Sequence, residues 1–165
     1  SDFLTSHEKQ YGYKYFCIPK YEYESETVSS TLIRKLRKNG FIKQANSLMT
    51  RNFFIESTVI EGEKIGRTIG FPTANMLYPD NIVKLPYGVY SVSVFNKPAV
   101  MNWGIKPTVN NDKPLIEVHI PQFDGDLYGN NLKVEIIKKI RNEMKFETLE
   151  ELRIQIEKDI KVCLE

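Results

Sequence analysis

From Phe53 onward the apolar residues come in short runs rich in β-branched and aromatic side chains: FFIESTVIEG, GVYSVSVFN, KPAVMNWG, PLIEVHI and LKVEIIKKI, with Gly, Pro and Asn between them. Five or six strands without intervening helices predict an antiparallel barrel or sandwich. In LIEVHI, Ile116, Val118 and Ile120 share one face, and Leu115, Glu117 and His119 share the other. With the Ile/Val face inward, Glu117 and His119 point outward. The period then changes. TLEE reads as a capping box with Thr148 as N-cap and Glu151 at the third position. Leu149, Leu152, Ile156, Ile160 and Cys163 follow at three- and four-residue steps, which predicts a final helix lying on the strands by its apolar stripe.

The first fifty residues have a different texture. YKYFCIP, Tyr13 to Pro19, is expected to be a strand. Beyond the acidic YEYESET, VSST supplies N-capping hydroxyls for a helix carrying Leu32, Ile33 and Leu36 and stopping at Gly40, and a second short helix is expected over 41–49. One strand and two helices are too little to close an α/β sheet. Residues 1–50 are therefore expected to be a small, incomplete α/β piece beside a domain over 51–165, which is compatible with a longer protein.

Composition narrows the function classes. Of 165 residues, 41% are hydrophobic and 27% charged, the balance of a globular chain. The net charge is +2, from 23 basic and 21 acidic residues, which argues against a general nucleic-acid binder and leaves a small phosphate ligand open. No run approaches the roughly 18 apolar residues of a membrane helix, so no membrane partner is expected. No basic segment followed by an apolar core opens the chain, so no secretory signal is read. Cys17 and Cys163 lie far apart and only two His are present, so a zinc site is not expected and the cytoplasm is the expected compartment.

The unusual stretch is GEKIGRTIGFPTAN, Gly62 to Asn75, with Gly62, Gly66 and Gly70 four residues apart and Lys64 and Arg67 among them. Such glycines let a backbone approach a phosphate and expose N–H groups to it. They also mark ordinary connecting loops. The spacing is neither GxxxxGK[ST] nor GxGxxG. Thr73 and Asn75 share a face if PTAN is extended. Their oxygens suit Mg²⁺, which takes its other ligands from water and phosphates; they suit a turn as well. Glu117, in the middle of an apolar strand, reads either as a proton acceptor or as a solvated glutamate. Trp103 reads as a stacking platform or as core, and Arg141 as an anion clamp or as surface.

In combination these stretches resemble the riboflavin kinase (flavokinase) family, as found at the C-terminal end of bacterial bifunctional riboflavin kinase/FAD synthetases. GRTIGFPTAN resembles its nucleotide signature, NWGIKPT its NxGxxPT strand-turn, EVHIPQFDGDLYG its ExH segment and DLYG turn, and IRNEMKF with TLEELRIQIEKD its Arg-x-Glu-x-x-Phe loop and final helix. The resemblance covers about residues 53–160 in order. It implies a mainly β fold, a six-stranded antiparallel Greek-key barrel with the C-terminal helix packed on it, and transfer of the ATP γ-phosphoryl group to the 5′-hydroxyl of riboflavin. By the same resemblance Thr73 and Asn75 hold Mg²⁺, and Glu117 is the general base. Gly62, Lys64, Gly66, Arg67, Gly70 and Pro72 join Thr73 and Asn75 in holding ATP, and Arg141, Glu143 and Phe146 form a loop that closes on the flavin. VSSTLIR resembles the (I/V)SSTxIR phosphate motif of the FMN adenylyltransferase half, with Ser29, Ser30, Thr31 and Arg34 at a helix start. The HxGH motif of that half is not in this sequence, so the resemblance implies FMN synthesis by this chain, and FAD synthesis only with a missing adenylyltransferase domain as partner.

Overall fold

The structure, a computed structural model, describes residues 2–105 and 114–164. Six antiparallel strands close into a barrel: β3 (Phe53–Ile60), β4 (Ala74–Leu77), β5 (Gly88–Val94), β6 (Lys97–Ile105), β7 (Pro114–His119) and β8 (Asn131–Arg141). Their order around the barrel is β3-β4-β7-β6-β5-β8. β5, β6 and β7 are successive neighbours and β8 returns to lie beside β5, which is a Greek key. Closure leaves no sheet edge to cover.

Strict alternation builds the interior. Ile55 and Val59 of β3, Met76 of β4, Tyr90, Val92 and Val94 of β5, Ala99, Met101 and Trp103 of β6, Ile116 and Val118 of β7, and Leu132, Val134 and Ile136 of β8 meet in one core. The inward face expected for Ile116, Val118 and Ile120 is the observed one. Trp103 is core, 1% exposed. Its Nε1–H donates to the Leu85 carbonyl at 2.9 Å, and Tyr78 and Tyr87 pack on its ring.

The final helix, α6 (Leu149–Leu164), lies across β5 and β6. Its cap is the expected one: the Glu151 N–H donates to Thr148 Oγ1 at 3.2 Å, and the Glu151 carboxylate reaches back to the Glu147 N–H at 3.0 Å. The expected stripe is the contact face in Leu152, Ile156, Ile160 and Cys163, which are half-buried. Leu149 is exposed, and the most buried residue of the helix is Asp159.

Before the barrel come α1 (Asp2–Ser6), α2 (Glu8–Tyr11), a two-stranded ribbon of β1 (Glu22–Tyr23) and β2 (Glu26–Thr27), then α3 (Ser30–Lys38) and α4 (Ile42–Met49). Ser29 caps α3 as expected, its hydroxyl accepting from the Leu32 N–H at 3.1 Å. The strand expected over 13–19 is absent. A strand exists through its ladder, and no described strand pairs with this stretch, which leaves Phe16 and Ile18 exposed. The acidic stretch folds back as the ribbon, with Glu24 and Ser25 at positive φ in its turn. The segment next to the barrel is better anchored. Ile42 and Ala45 of α4 are buried. Asn46 donates to the Ile136 carbonyl and accepts from the Phe53 N–H, both at 2.9 Å. Because Phe53 and Ile136 are cross-strand partners, this one side chain caps the β3–β8 ladder.

Candidate functional site

Alternation along β4 turns Ala74 and Met76 inward and Asn75 outward. Register then places three polar residues side by side on the outer face. Asn75 of β4 is opposite Glu117 of β7, and Glu117 is opposite Asn102 of β6. Such partners stand roughly 5 Å apart at Cβ. Asn102 Nδ2 donates to Glu117 Oε2 at 3.4 Å. This face is not open to solvent. α6, residues 141–146 and the loop before β4 cover it and enclose a cavity of about 380 Å³. Its apolar lining comes from Ile65, Ile69, Phe71, Val89, Val100, Ile105, Met144, Phe146, Leu152 and Ile156, and its polar lining from Thr73, Asn102, Glu117, His119, Arg141, Glu143 and Asp159. Glu117 is half-buried in this wall.

A second cavity, about 550 Å³, opens at one end of the barrel and is lined by Arg67, Pro72, Thr73, Phe123, Asp124, Asp126 and Tyr128 among others. Thr73 belongs to both linings. The Lys64 ammonium stands 5.9 Å from the Tyr128 ring on the wall of the second cavity. Gly62, Lys64 and Gly70 themselves line neither cavity.

The glycine-rich stretch is not an open loop. After Lys64, at φ 59°, it makes one helical turn, α5 (Ile65–Thr68), tied by Thr68 Oγ1 donating to the Ile65 carbonyl at 2.7 Å. Phe71 N–H donates to the Gly66 carbonyl at 2.7 Å, and a Cβ on Gly66 would collide with the Phe71 carbonyl. A Cβ on Gly62 would collide with the Asn75 amide. These two glycines let the loop press onto the FPTAN segment. Asn75 is thereby 4% exposed, roofed by Gly62, with Nδ2 making a long 3.5 Å bond to the Thr73 carbonyl.

His119 fixes the same segment from below. A carbonyl can only accept, so Nδ1–H donates to Pro72 O at 2.9 Å. Phe71 packs edge-on at 5.3 Å. Burial holds the imidazole below its ordinary pKa, opposed by the bond to Pro72. On the other wall Arg141 ends β8. Its Nη2 meets Asp159 Oδ2 at 2.8 Å, its Nε lies 3.1 Å from both carboxylate oxygens, and its Nη1 donates to the Asn142 carbonyl at 3.0 Å. Phe146 stands 5.9 Å from the guanidinium, and the Glu143 carboxylate lies against Gly104.

Of the residues singled out in the sequence, Gly66, Thr73, Glu117, Arg141, Glu143 and Phe146 therefore line the first cavity, Arg67, Pro72 and Thr73 the second, and Asn75 lies beneath the loop between them. Lys106, Pro107 and Thr108 of NWGIKPT lie outside the described residues. Sequence reasoning gave no role to Asn102 or Asp159. Asn102 opens the NxGxxPT stretch, but only strand register sets it against Glu117. Asp159 carried a signal, since it falls three residues after Ile156 on the helix's apolar stripe.

No group of three or more His, Cys, Asp or Glu among the described residues could hold a metal by itself. Thr73 instead presents a neutral hydroxyl oxygen at both cavities, and the Asn75 amide lies two residues on, beneath the Gly62 loop. That donor set fits a hard cation that completes its shell with phosphate and water. Among the described residues no helix is long and apolar enough to cross a membrane.

Comparison with known proteins gives the same frame. The chain is 37% identical to the bifunctional riboflavin kinase/FMN adenylyltransferase of Haemophilus influenzae, over 97% of this chain and 53% of that protein. It is 40% identical to the Bacillus subtilis protein of the same name, over 86% of this chain and 47% of that protein. The chain thus spans about half the length of the curated relatives it matches. A solved structure described as a macrolide-efflux protein from Streptococcus pneumoniae superposes with a TM-score of 0.84 at 30% identity, covering 96% of this chain and 54% of that one. The family model described as Flavokinase: Riboflavin kinase matches residues 49–165, a stretch that holds both cavities, the whole barrel and α6, and the chain therefore belongs to the riboflavin kinase family.

Proposed function

We propose that this chain transfers the γ-phosphoryl group of ATP to the 5′-hydroxyl of riboflavin, giving FMN and ADP. The observation that carries the reading is the joint between the two cavities. One is mostly apolar and walled by Glu117, the other sets Arg67, Asp124 and Asp126 among apolar residues, and Thr73 belongs to both. A planar apolar flavin suits the first and a nucleotide phosphate chain the second, so the reacting oxygen and phosphorus meet beside Thr73, Asn75 and Glu117.

Phosphoryl transfer depends on positioning and charge neutralisation more than on covalent help. Thr73 and Asn75 would hold Mg²⁺, which when bound neutralises charge on the phosphates. Arg67 and Lys64, with the backbone of 62–70, compensate the rest of the nucleotide's charge. Glu117 accepts the proton of the 5′-hydroxyl, with Asn102 fixing one carboxylate oxygen. A positioned base of this kind contributes about 10²–10⁴-fold. Arg141, Glu143 and Phe146 close the flavin side. The two cysteines are free, which supports placing the reaction in the reducing cytoplasm.

A second reading concerns the longer protein. Both relatives are named as bifunctional and are about twice as long as this chain. We propose that the parent protein also adenylylates FMN, with residues 1–50 the end of that half. Incubation of this chain, and of the longer protein, with riboflavin, ATP and Mg²⁺ followed by separation of flavins tests both readings, FAD from the longer protein being the result the second requires. FMN alone from this chain supports the first, FMN plus FAD would assign both activities to it, and unchanged riboflavin would overturn the kinase reading.

A further inference from the structure

The buried carboxylate of α6 is the feature the reaction leaves unused. Asp159 is 2% exposed, on a helix face where aliphatic residues are expected. A carboxylate persists there only when paired, and an apolar residue is often as stable or more stable in its place. Asp159 receives Nε and Nη2 of Arg141 at 2.8–3.1 Å and the Gln155 amide, one turn back, at 2.9 Å on Oδ1. A two-pronged guanidinium–carboxylate contact fixes the plane and direction of the arginine as well as its charge. Through Nη1 the same guanidinium holds the carbonyl of Asn142, the first residue after β8. The next four residues carry Glu143, Met144 and Phe146 onto the wall of the first cavity facing the barrel.

We propose that Asp159 is a positioning residue for the flavin site. It holds Arg141, Arg141 holds segment 142–146, and that segment is set over the cavity before a flavin enters. The inference rests on the kinase reading and adds a residue that no substrate atom needs to touch. Setting a wall in advance removes the ordering cost of its side chains from each binding event. Loss of the Asp159 charge should therefore weaken riboflavin binding by about ten- to hundredfold. The second cavity, and the phosphoryl step once both substrates are bound, should be little affected.

The test compares wild type with Asp159→Asn, and with Gln155→Leu, which removes one hydrogen bond to Asp159 and keeps the ion pair. For each, KM for riboflavin, KM for ATP, kcat and the melting temperature are measured. Riboflavin affinity is also read without ATP, by quenching of flavin fluorescence. The expected result is a riboflavin KM and dissociation constant raised about ten- to hundredfold in Asp159→Asn and by a smaller factor in Gln155→Leu. ATP KM should be unchanged and kcat should stay within about threefold, well short of the loss of a catalytic base. A purely structural role would lower the melting temperature and the active fraction, and so kcat, with both KM values unmoved. That result, or equal riboflavin affinity in all three proteins, overturns the inference. If Asp159→Asn does not fold, Gln155→Leu decides in the same way. Wild type that binds riboflavin but forms no FMN would overturn the kinase reading alone; the fluorescence comparison would still decide the role of Asp159.

Discussion

Replacing Asn46 by Ala should cost the barrel a large share of its stability while leaving the reaction intact. The side chain caps the β3–β8 ladder, donating to the Ile136 carbonyl and accepting from the Phe53 N–H at 2.9 Å each. Both partners are at buried positions, and an alanine methyl can replace neither bond. Leaving a buried backbone group unsatisfied costs about 1–3 kcal/mol, so two cost roughly 2–6 kcal/mol. Domains are stable by only ~5–15 kcal/mol in total. For a chain of this size about 1 kcal/mol moves the midpoint by ~2–4 °C, which gives a loss of roughly 4–24 °C. Thermal and urea denaturation of the two proteins measure it. Asn46 lines neither cavity, so riboflavin phosphorylation well below the midpoint should proceed at the parental rate. A midpoint within about 2 °C of wild type, less than a single such orphan predicts, would refute the claim that Asn46 caps the β3–β8 ladder.

The same packing predicts how far the chain tolerates truncation. Removing residues 1–28 should leave a folded, active protein. Removing 1–50 also takes away Ile42, Ala45 and Asn46 and should give an insoluble or unfolded product; a folded, active 51–165 protein would contradict this. Thr73→Ala should lower turnover and raise the Mg²⁺ concentration needed for half-maximal rate, because it removes one hard oxygen shared by the two cavities; a wild-type Mg²⁺ dependence would take Thr73 out of the metal site. His119 should make stability pH-dependent. Burial depresses its folded-state pKa, so as pH falls below the unfolded value of about 6.5 the unfolded chain takes up a proton that the folded protein refuses, and stability drops. His119→Gln can still donate to Pro72 and should flatten that part of the curve; an unchanged slope between about pH 6.5 and the lower folded value would refute it.

The barrel was legible because its signal is local. Alternation such as Ile116, Val118 and Ile120 fixes which face is inside, and the capping residues Thr148 and Glu151 mark the last helix before any tertiary contact is known. Trp103 was ambiguous in sequence, since only the Leu85 carbonyl and the Tyr78 and Tyr87 rings identify it as core. The segment 13–19 has strand composition but no ladder to join, and composition cannot supply a partner. The site was legible where chemistry is unusual for its position, as with Glu117 in an apolar strand and the glycines before PTAN. Asn102 and the contacts of Asp159 were not, because each acts across register or between elements far apart in sequence. The role of Gly62 and Gly66 was only partly legible: four-residue spacing says that a backbone comes close to something, and the structure identifies Asn75 and the Phe71 carbonyl as what it approaches.

The central claim is that Glu117, opposite Asn75 on the outer face and in the wall of the first cavity, takes the proton of the attacking hydroxyl. Glu117→Gln tests it most directly, because the change keeps size and polarity, opens no cavity in the core and removes only the base. Turnover of riboflavin to FMN at saturating ATP and Mg²⁺ should fall by about 10²–10⁴-fold, toward the lower end if the transition state is loose. Riboflavin and ATP should still bind, and the melting temperature should barely move. Turnover within about threefold of wild type, far short of the range for a general base, would contradict the account.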